Sequence, residues 1–481
     1  MDNLDKTSSY RQILKYTSLF GSIQGINILI ALLRNKIVAV LLGPSVMGLM
    51  SLFNSTLQML STATNLGIGT SSVKTLAEQM EEDDTYRQVR HVRVIRSWVM
   101  LTAIIGLVVS LLLVPLLNKW VFADGDHCLQ LLLLVPAVPM MAIFGGELAV
   151  LKATRQLTSL ARISVLNMAF TLVSALLLFY FVGEKAIVPY LVSVAFAQML
   201  FTIIHSYRLY PLRLSLRRKT LREGLPMVKL GLAFVAAGIC GTGADFAIRA
   251  ILNQVASLEI VGLYNSGFMM TMVYAGMIFS AFDSDFYPRL SKVNRNIQES
   301  NQLVNRQIEV TSHLLSPMLI AFSIGMPILL PLLFSNKFIP VLSMIQVATL
   351  SMFLRGMKLP AAYLMLGKGD SKTYFWMELY SAVVLVVTVI GGYQLFGLIG
   401  TGVGILLTEL IDLLVVYIVT RLRYGYRVSK EVVRTASQHL PLQVLCLAVT
   451  LLLSDIGYYV AGILLFSVSL GLSIHFFIKQ K

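Results

Sequence analysis

The chain has 481 residues, of which 56% are hydrophobic and only 13% charged, against roughly 25% charged in an ordinary soluble domain. That balance excludes a soluble globular enzyme or binding module. The net charge of +15 does not indicate nucleic acid either, because the basic residues are scattered over short loops rather than gathered on one module.

A hydrocarbon core of ~30 Å needs ~20 apolar residues per helix, and about fourteen stretches meet that length. In chain order they are 13–42, 46–72, 97–118, 128–151, 163–183, 186–207, 227–254, 259–286, 308–334, 338–366, 373–396, 398–420, 438–454 and 457–478. The expected fold is therefore an all-α polytopic membrane protein. The segment before the first stretch is polar and carries Asp2 and Asp5, and the apolar run that follows is too long for a cleavable leader. Cys128, Cys240 and Cys446 are widely spaced in or beside apolar segments, so no disulfide framework or metal-ligand spacing is visible.

With the N-terminus placed in the cytoplasm, thirty-one of the thirty-nine Lys and Arg residues fall in cytoplasmic segments. Only Lys119, Lys185 and Lys337 fall on the opposite side. This follows the positive-inside rule and predicts that both termini are cytoplasmic. Five basic residues are left over, and these must lie inside the membrane.

The loops suggest how the chain divides. An arginine-rich stretch at 208–226 reads as a basic cytoplasmic linker between an N-terminal six-helix lobe, 1–207, and a C-terminal six-helix lobe, 227–425. Residues 426–481 read as an additional helix pair outside the symmetry. A weak repeat supports the division. Arg34 precedes Gly48-Leu49 by 14 residues and Arg249 precedes Gly262-Leu263 by 13, as expected of parallel transporter repeats around a central site. The loop from Glu78 to Arg96 is acidic, then basic, with Arg87, Arg90, Arg93 and Arg96 spaced by three. It reads foremost as a solvated loop, and alternatively as a helix whose basic side touches lipid headgroups.

The five embedded bases are Arg34 and Lys36 in the first helix, Arg249 in the seventh, and Arg355 and Lys358 in the tenth. Burying such a group at the bilayer centre costs at least ~2.5 kcal/mol, so it lines an aqueous cavity or meets a partner. Arg34 lies ~30 Å along its helix at 1.5 Å per residue, and Arg355 and Lys358 share a helix face. Cations at several depths suit an anion that crosses the bilayer. Phosphate or diphosphate fits best, since Arg forks match its oxygens.

Blander readings stand beside this. Asp245 precedes Arg249 by four residues and can neutralise it locally, and Lys36 and Lys358 can snorkel to an interface. Arg34 and Arg355 have no acid within four residues on their own helix. Of the embedded acids Glu147, Asp245, Glu378, Glu409 and Asp412, the pair Glu409 and Asp412 shares a face. That pair either balances Arg355 and Lys358 or carries a coupling proton. Polar residues along the second stretch, including Asn54, Gln58, Ser61 and Asn65, either pack helices together or line a wet cavity. The six histidines are scattered and form no catalytic or metal constellation.

Two motifs resemble a known family. Leu33-Arg34-Asn35-Lys36, continuing to Leu42-Gly43-Pro44 and Gly48-Leu49, is similar to the first helix of bacterial polysaccharide flippases of the multidrug/oligosaccharidyl-lipid/polysaccharide exporter superfamily, and so is the stretch Asp285-Phe286-Tyr287-Pro288-Arg289-Leu290-Ser291. The resemblance covers roughly residues 10–425. It is strongest to the Wzx-type translocases of O-antigen and enterobacterial common antigen precursors. It implies two six-helix lobes around a central cavity, and alternating access that carries undecaprenyl-diphosphate-linked oligosaccharide outward across the inner membrane. Its implied partners are that lipid-linked glycan, membrane lipid and polysaccharide assembly proteins, with no cofactor. Family members often have twelve helices, so the final pair departs from the pattern.

Two other functions fit parts of the sequence. A drug or metabolite exporter of the same superfamily usually needs an acidic cavity, whereas the unpaired embedded residues here are mainly basic. A membrane-embedded glycan polymerase, ligase or acyltransferase needs a positioned base, nucleophile or acceptor site, and typically a sizeable external loop. No external loop exceeds about ten residues under the predicted topology.

Overall fold

The computed structural model describes residues 2–79, 85–123 and 127–479. The described residues are almost wholly helical and include no strand. Eleven segments among them are long and apolar enough to cross a membrane, two of which, Cys128–Ala153 and Leu157–Leu209, each hold two α-helices. The expected all-α membrane architecture is thus found, while the count of fourteen spans is not.

The chain separates into two compact units, the first ending at Ser257 and the second beginning at Leu258. In the first, α1 (Asp2–Thr64) runs through the first predicted stretch and most of the second, whose end lies in the next helix. It bends at Gly43-Pro44, where Gly43 has φ 77° and ψ −177°. That conformation is open essentially to glycine alone, and Pro44 lacks the amide N–H that would continue the helix ladder. Gly43→Ala is expected to destabilise the protein by about 1–3 kcal/mol, read as a lower Tm in a lipid nanodisc; an unchanged Tm would show that the bend is not fixed by this residue.

The rest of the first unit comprises α2 (Ile68–Gln79), α3 (Thr85–Val121), α4 (Cys128–Leu134), α5 (Ala137–Ala153), α6 (Leu157–Val182), α7 (Ile187–Leu209) and α8 (Arg218–Val255). Helix α5 packs on α2, α3 and α7, and α1 packs on α6 and α8. The basic stretch offered by the sequence as a linker is non-helical only over residues 210–217, and the helices on both sides of it belong to this one unit. The segment predicted as a loop before residue 97 is also helical from Thr85 onward, since α3 starts there. Residues 80–84, which hold most of the acidic half of that segment, lie outside the described residues.

The second unit comprises α9 (Leu258–Phe268), a π-helical turn (Met269–Ala275), α10 (Met277–Val293), α11 (Ile297–Leu333), α12 (Leu342–Gly367), α13 (Ser371–Phe396), α14 (Leu398–Tyr424), α15 (Lys430–Leu452) and α16 (Asp455–Lys479). Helix α12 is its centre, with 72% of its most apolar window buried, whereas α13 buries only 6% and turns its apolar surface outward. Helices α13 and α14 meet backbone to backbone. A Cβ added at Gly400 would stand 1.8 Å from the carbonyl oxygen of Gly392, and one at Gly404 would stand 2.4 Å from that of Thr388. A side chain larger than hydrogen at either position forces the two helices apart, as small residues at membrane helix contacts would lead one to expect.

The terminal helices α15 and α16 are tied to α11 by buried polar contacts. Gln443 donates to the Ser316 carbonyl at 2.9 Å, Ser316 and Ser469 hydroxyls meet at 2.9 Å, and Ser473 donates to the His313 carbonyl at 2.6 Å. His439 Nε2 and His313 Nδ1 lie 2.8 Å apart, and His313 stacks on Phe476. A pair reading in sequence as an appendage is therefore an integral part of the second unit.

Candidate functional site

Arg34 sits in the part of α1 before the bend, half-buried, with its Nε and Nη2 donating to Asn35 Oδ1 at 3.3 and 3.1 Å. The Tyr190 hydroxyl of α7 lies within hydrogen-bonding reach of it. Both partners are neutral, and no ion pair joins the guanidinium to a carboxylate among the described residues. Lys36 is half-buried two residues on and is engaged by its surroundings.

Arg249 in α8 behaves differently. It is buried, forms an ion pair with Asp245 one turn earlier and donates to the Asp245 carbonyl at 2.9 Å. The local neutralisation that the spacing allowed is therefore present, and Asp245 serves as its counter-charge. Arg249 and Arg34 also share a setting, since each precedes a break in its helix, at Ala256 and at Gly43.

Arg355 and Lys358 lie on one face of α12 and meet Glu409 and Asp412 of α14. Lys358 Nζ is 2.6 Å from Glu409 Oε2 and 3.0 Å from Asp412 Oδ2. Ser381 of α13 donates to the same Asp412 oxygen at 2.6 Å. Lys358 does not snorkel: it is only 12% exposed and bridges two carboxylates. Arg355 is 37% exposed, stands 3.9 Å from Glu409 Oε1 and reaches Met272 Sδ in the π-helical turn at 3.5 Å. The contact with Glu409 is too long for a hydrogen bond. Of the four charges in the cluster, Arg355 is the one most open to a ligand.

Glu147 has a structural partner that the sequence did not reveal. Arg96 of α3 grips it with a two-pronged fork, Nε to Oε1 at 2.8 Å and Nη2 to Oε2 at 3.0 Å, with both side chains 3% exposed. Ser206 of α7 donates to the same carboxylate at 2.5 Å, and Arg96 Nη1 donates to the carbonyls of Tyr210 and Pro211. By spacing Arg96 belongs with the arginines of the predicted solvated loop, but the outer Arg90 is the half-exposed one, and it pairs with Glu223 at the start of α8. A lone acid in an apolar run demanded a cation, and that demand was the available signal.

The polar residues of α1 beyond the bend divide into two sets. Ser51, Ser55, Thr56 and Thr64 are buried and return their hydroxyl protons to carbonyls three or four residues earlier on their own helix. That set serves packing. Asn54 and Gln58, one turn apart, are exposed, and an exposed amide row is poorly matched to lipid tails. In the second motif, Phe286 and Leu290 are buried core residues of α10, which fits a structural helix end; the side chain of Asp285 is outside the described ones. No metal-binding cluster of His, Cys, Asp or Glu occurs among the described residues.

At the loop before α13, Asp370 caps the helix by accepting from the Thr373 amide at 3.0 Å and hydroxyl at 2.7 Å, and it also meets Tyr424 and Arg423. Those hydrogen bonds, with the Arg423 charge, hold its carboxyl down at about 2. Since this lies below the unfolded aspartate value of about 4, the contribution to stability is present above that value and is lost as pH falls toward 2. Asp370→Ala should therefore lower Tm at neutral pH and narrow its gap from the unmodified protein on acidification below about pH 4; a constant gap would assign the loss to packing.

The comparisons agree with this architecture. The structure is similar to the lipid II flippase MurJ in an inward closed conformation, with a TM-score of 0.70 at 13% identity over 96% of this chain and 99% of that one. It is also similar to an inward-facing multidrug resistance MATE family transporter of the MOP superfamily, with a TM-score of 0.68 at 16% identity over 83% and 94%. At such identities the likeness establishes the fold. No curated protein sequence matches the chain closely enough to count as a relative. The family described as polysaccharide biosynthesis protein matches residues 37–343, which is more than half of the chain and spans α1 beyond Lys36 to the start of α12. The chain belongs to that polysaccharide biosynthesis family, and it is a multi-pass membrane protein with the fold of the MOP superfamily transporters.

Proposed function

We propose that this protein is a flippase that moves undecaprenyl-diphosphate-linked oligosaccharide from the cytoplasmic to the periplasmic leaflet of the bacterial inner membrane, with both termini in the cytoplasm, for assembly of O-antigen or a related surface polysaccharide. The observation that carries the reading is a pair of partly exposed guanidiniums on membrane helices, Arg34 in the first unit and Arg355 in the second. Each is short of a close carboxylate partner, and a diphosphate oxygen supplies what it lacks. Lys36 and Arg249 in the first unit and Lys358 in the second add positive charge, with Asp245, Glu409 and Asp412 limiting the net charge. The exposed Asn54 and Gln58 amides suit sugar hydroxyls.

Energetics favour that direction. With the cytoplasm negative, each negative charge moved outward gains ~2.3 kcal/mol per 100 mV, so a diphosphate needs no coupled ion to leave. A cationic drug faces the opposite gradient and would be repelled by Arg34. The experiment is the sidedness of lipid-linked oligosaccharide in cells depleted of the protein, read with a membrane-impermeant glycan probe on spheroplasts and inverted vesicles. Accumulation on the cytoplasmic face is expected. Unchanged sidedness and amount would overturn the reading and favour small-molecule export.

A further inference from the structure

The segment that joins α7 to α8 carries a surface that the embedded charges do not explain. Helix α7 has 23 residues and ends at Leu209, where a membrane-spanning segment also ends. At 1.5 Å per residue that is about 34 Å, slightly more than the ~30 Å hydrocarbon core, so the chain leaves α7 at a membrane boundary. Residues 208–222 then hold six bases, Arg208, Arg213, Arg217, Arg218, Lys219 and Arg222, and no acid. Among these bases stand Leu212, Leu214 and Leu216, which are 50%, 43% and 53% exposed.

The segment is held in place along its length by three consecutive residues of α3. Arg96 donates to the carbonyls of Tyr210 and Pro211 at 2.8 and 3.0 Å, Ser97 Oγ accepts from the Ser215 amide at 3.1 Å, and Trp98 Nε1 donates to the Leu221 carbonyl at 3.1 Å. Tyr210 and Arg217, at the two ends of the non-helical part, have extended backbones. In an extended chain alternate side chains share a side, so Leu212, Leu214 and Leu216 form one apolar row. Arg213 and Arg217 take the other side of the chain, and Arg218 follows directly. Among the described residues no carboxylate forms an ion pair with any of these three arginines.

The two halves of this surface together select a partner. Free phosphate or a nucleic acid would neutralise the bases and leave the leucines in water, where exposed apolar area is unfavourable. A neutral phospholipid would cover the leucines and leave the bases without a counter-charge. An anionic phospholipid supplies both an acyl surface and a negative headgroup, and it lies at the depth at which α7 ends.

We infer that residues 208–222 form a docking surface for anionic phospholipid of the surrounding bilayer, with Leu212, Leu214 and Leu216 entering the acyl boundary and Arg213, Arg217 and Arg218 meeting the headgroup phosphates. Amphipathic helices bind membrane surfaces by the same combination of buried apolar area and attraction to anionic lipid. Here an extended strap does so, and the buried Arg96, which also grips Glu147, helps to hold it in place.

The test attaches a bimane at Leu214→Cys in the full-length protein, with the exposed Cys128 replaced by Ser; Cys240 and Cys446 are buried. Nanodiscs contain phosphatidylglycerol and phosphatidylcholine in equal amounts, with a nitroxide on the acyl chains of one lipid or of the other, so that quenching reads which lipid touches residue 214. Phosphatidylglycerol is expected to be enriched there by about fivefold or more, the factor that one basic residue near an anionic surface contributes. Replacing Arg213, Arg217 and Arg218 together by Gln should bring the two lipids close to parity, and all three side chains are exposed, so the fold loses no buried contact.

Equal quenching by the two lipids with the arginines intact would overturn the anionic assignment. A preference that survives in the triple variant would overturn the assignment to these arginines. Quenching by neither lipid would overturn the docking itself: quenching by aqueous iodide would then mark a solvated loop, and protection from iodide a surface covered by protein.

Discussion

Replacing Arg96 by Met is expected to destabilise the protein by about 3–5 kcal/mol, the range found when one member of a buried ion pair is removed and the other is left uncompensated. The carboxylate of Glu147 would lose both prongs of its fork and keep only the Ser206 hydroxyl. Two carbonyls just past α7, of Tyr210 and Pro211, would lose a donor as well. The double variant Arg96→Met with Glu147→Leu removes the orphaned charge and should recover part of the loss. Recovery should be incomplete, because the carbonyls remain without their donor, at about 1–3 kcal/mol for an unsatisfied buried group. Thermal unfolding of all variants in one nanodisc composition makes a double-mutant cycle. Additive losses would show that the pair does not act as a unit, contrary to its geometry.

That pair also shows where the sequence stopped being readable. Glu147 stands out in an apolar run, and the need for a cation follows from the cost of burial. Which cation was not legible, because Arg96 ends a ladder of arginines at a spacing of three and looked like one more loop charge. What distinguishes it is that α3 begins at Thr85, a full three turns before the apolar run, so that the ladder winds from solvent into the interior. The same early starts affected α8, α11 and α15, whose amphipathic first turns carry too much charge to register as membrane helix.

Contacts set by i,i+3 or i,i+4 spacing were far easier to read. Asp245 with Arg249, and the facing pairs Arg355 with Lys358 and Glu409 with Asp412, follow from helix periodicity once the apolar stretches are drawn. Their assignment as partners needed only that two helices meet. By contrast, His313 and His439 are separated by 126 positions, and nothing in either neighbourhood marks one as the complement of the other. The bend in α1 was legible as a gap between two stretches at Gly43-Pro44, although the helix resumes directly beyond it.

The largest functional effects are expected at Arg34 and Arg355. Arg34→Ala and Arg355→Ala should each lower transport of lipid-linked oligosaccharide by at least about tenfold, since a hydrogen bond to a charged group contributes about 1.5–3 kcal/mol and 1.4 kcal/mol is a factor of ten. Neither change should cost much stability. Among the described residues Arg34 bonds only neutral partners, Asn35 and Tyr190, and Arg355 holds Glu409 at 3.9 Å while Lys358 continues to neutralise that acid at 2.6 Å. Lys358→Met is the informative contrast. It leaves two carboxylates facing each other in the interior, so its loss of transport should come with a loss of folded protein. Membrane-inserted amount and Tm, measured beside transport in inverted vesicles, separate the two classes. Should Arg34→Ala and Arg355→Ala both transport at the unmodified rate, the cationic path for a diphosphate is wrong, and the guanidiniums then serve the helices that carry them.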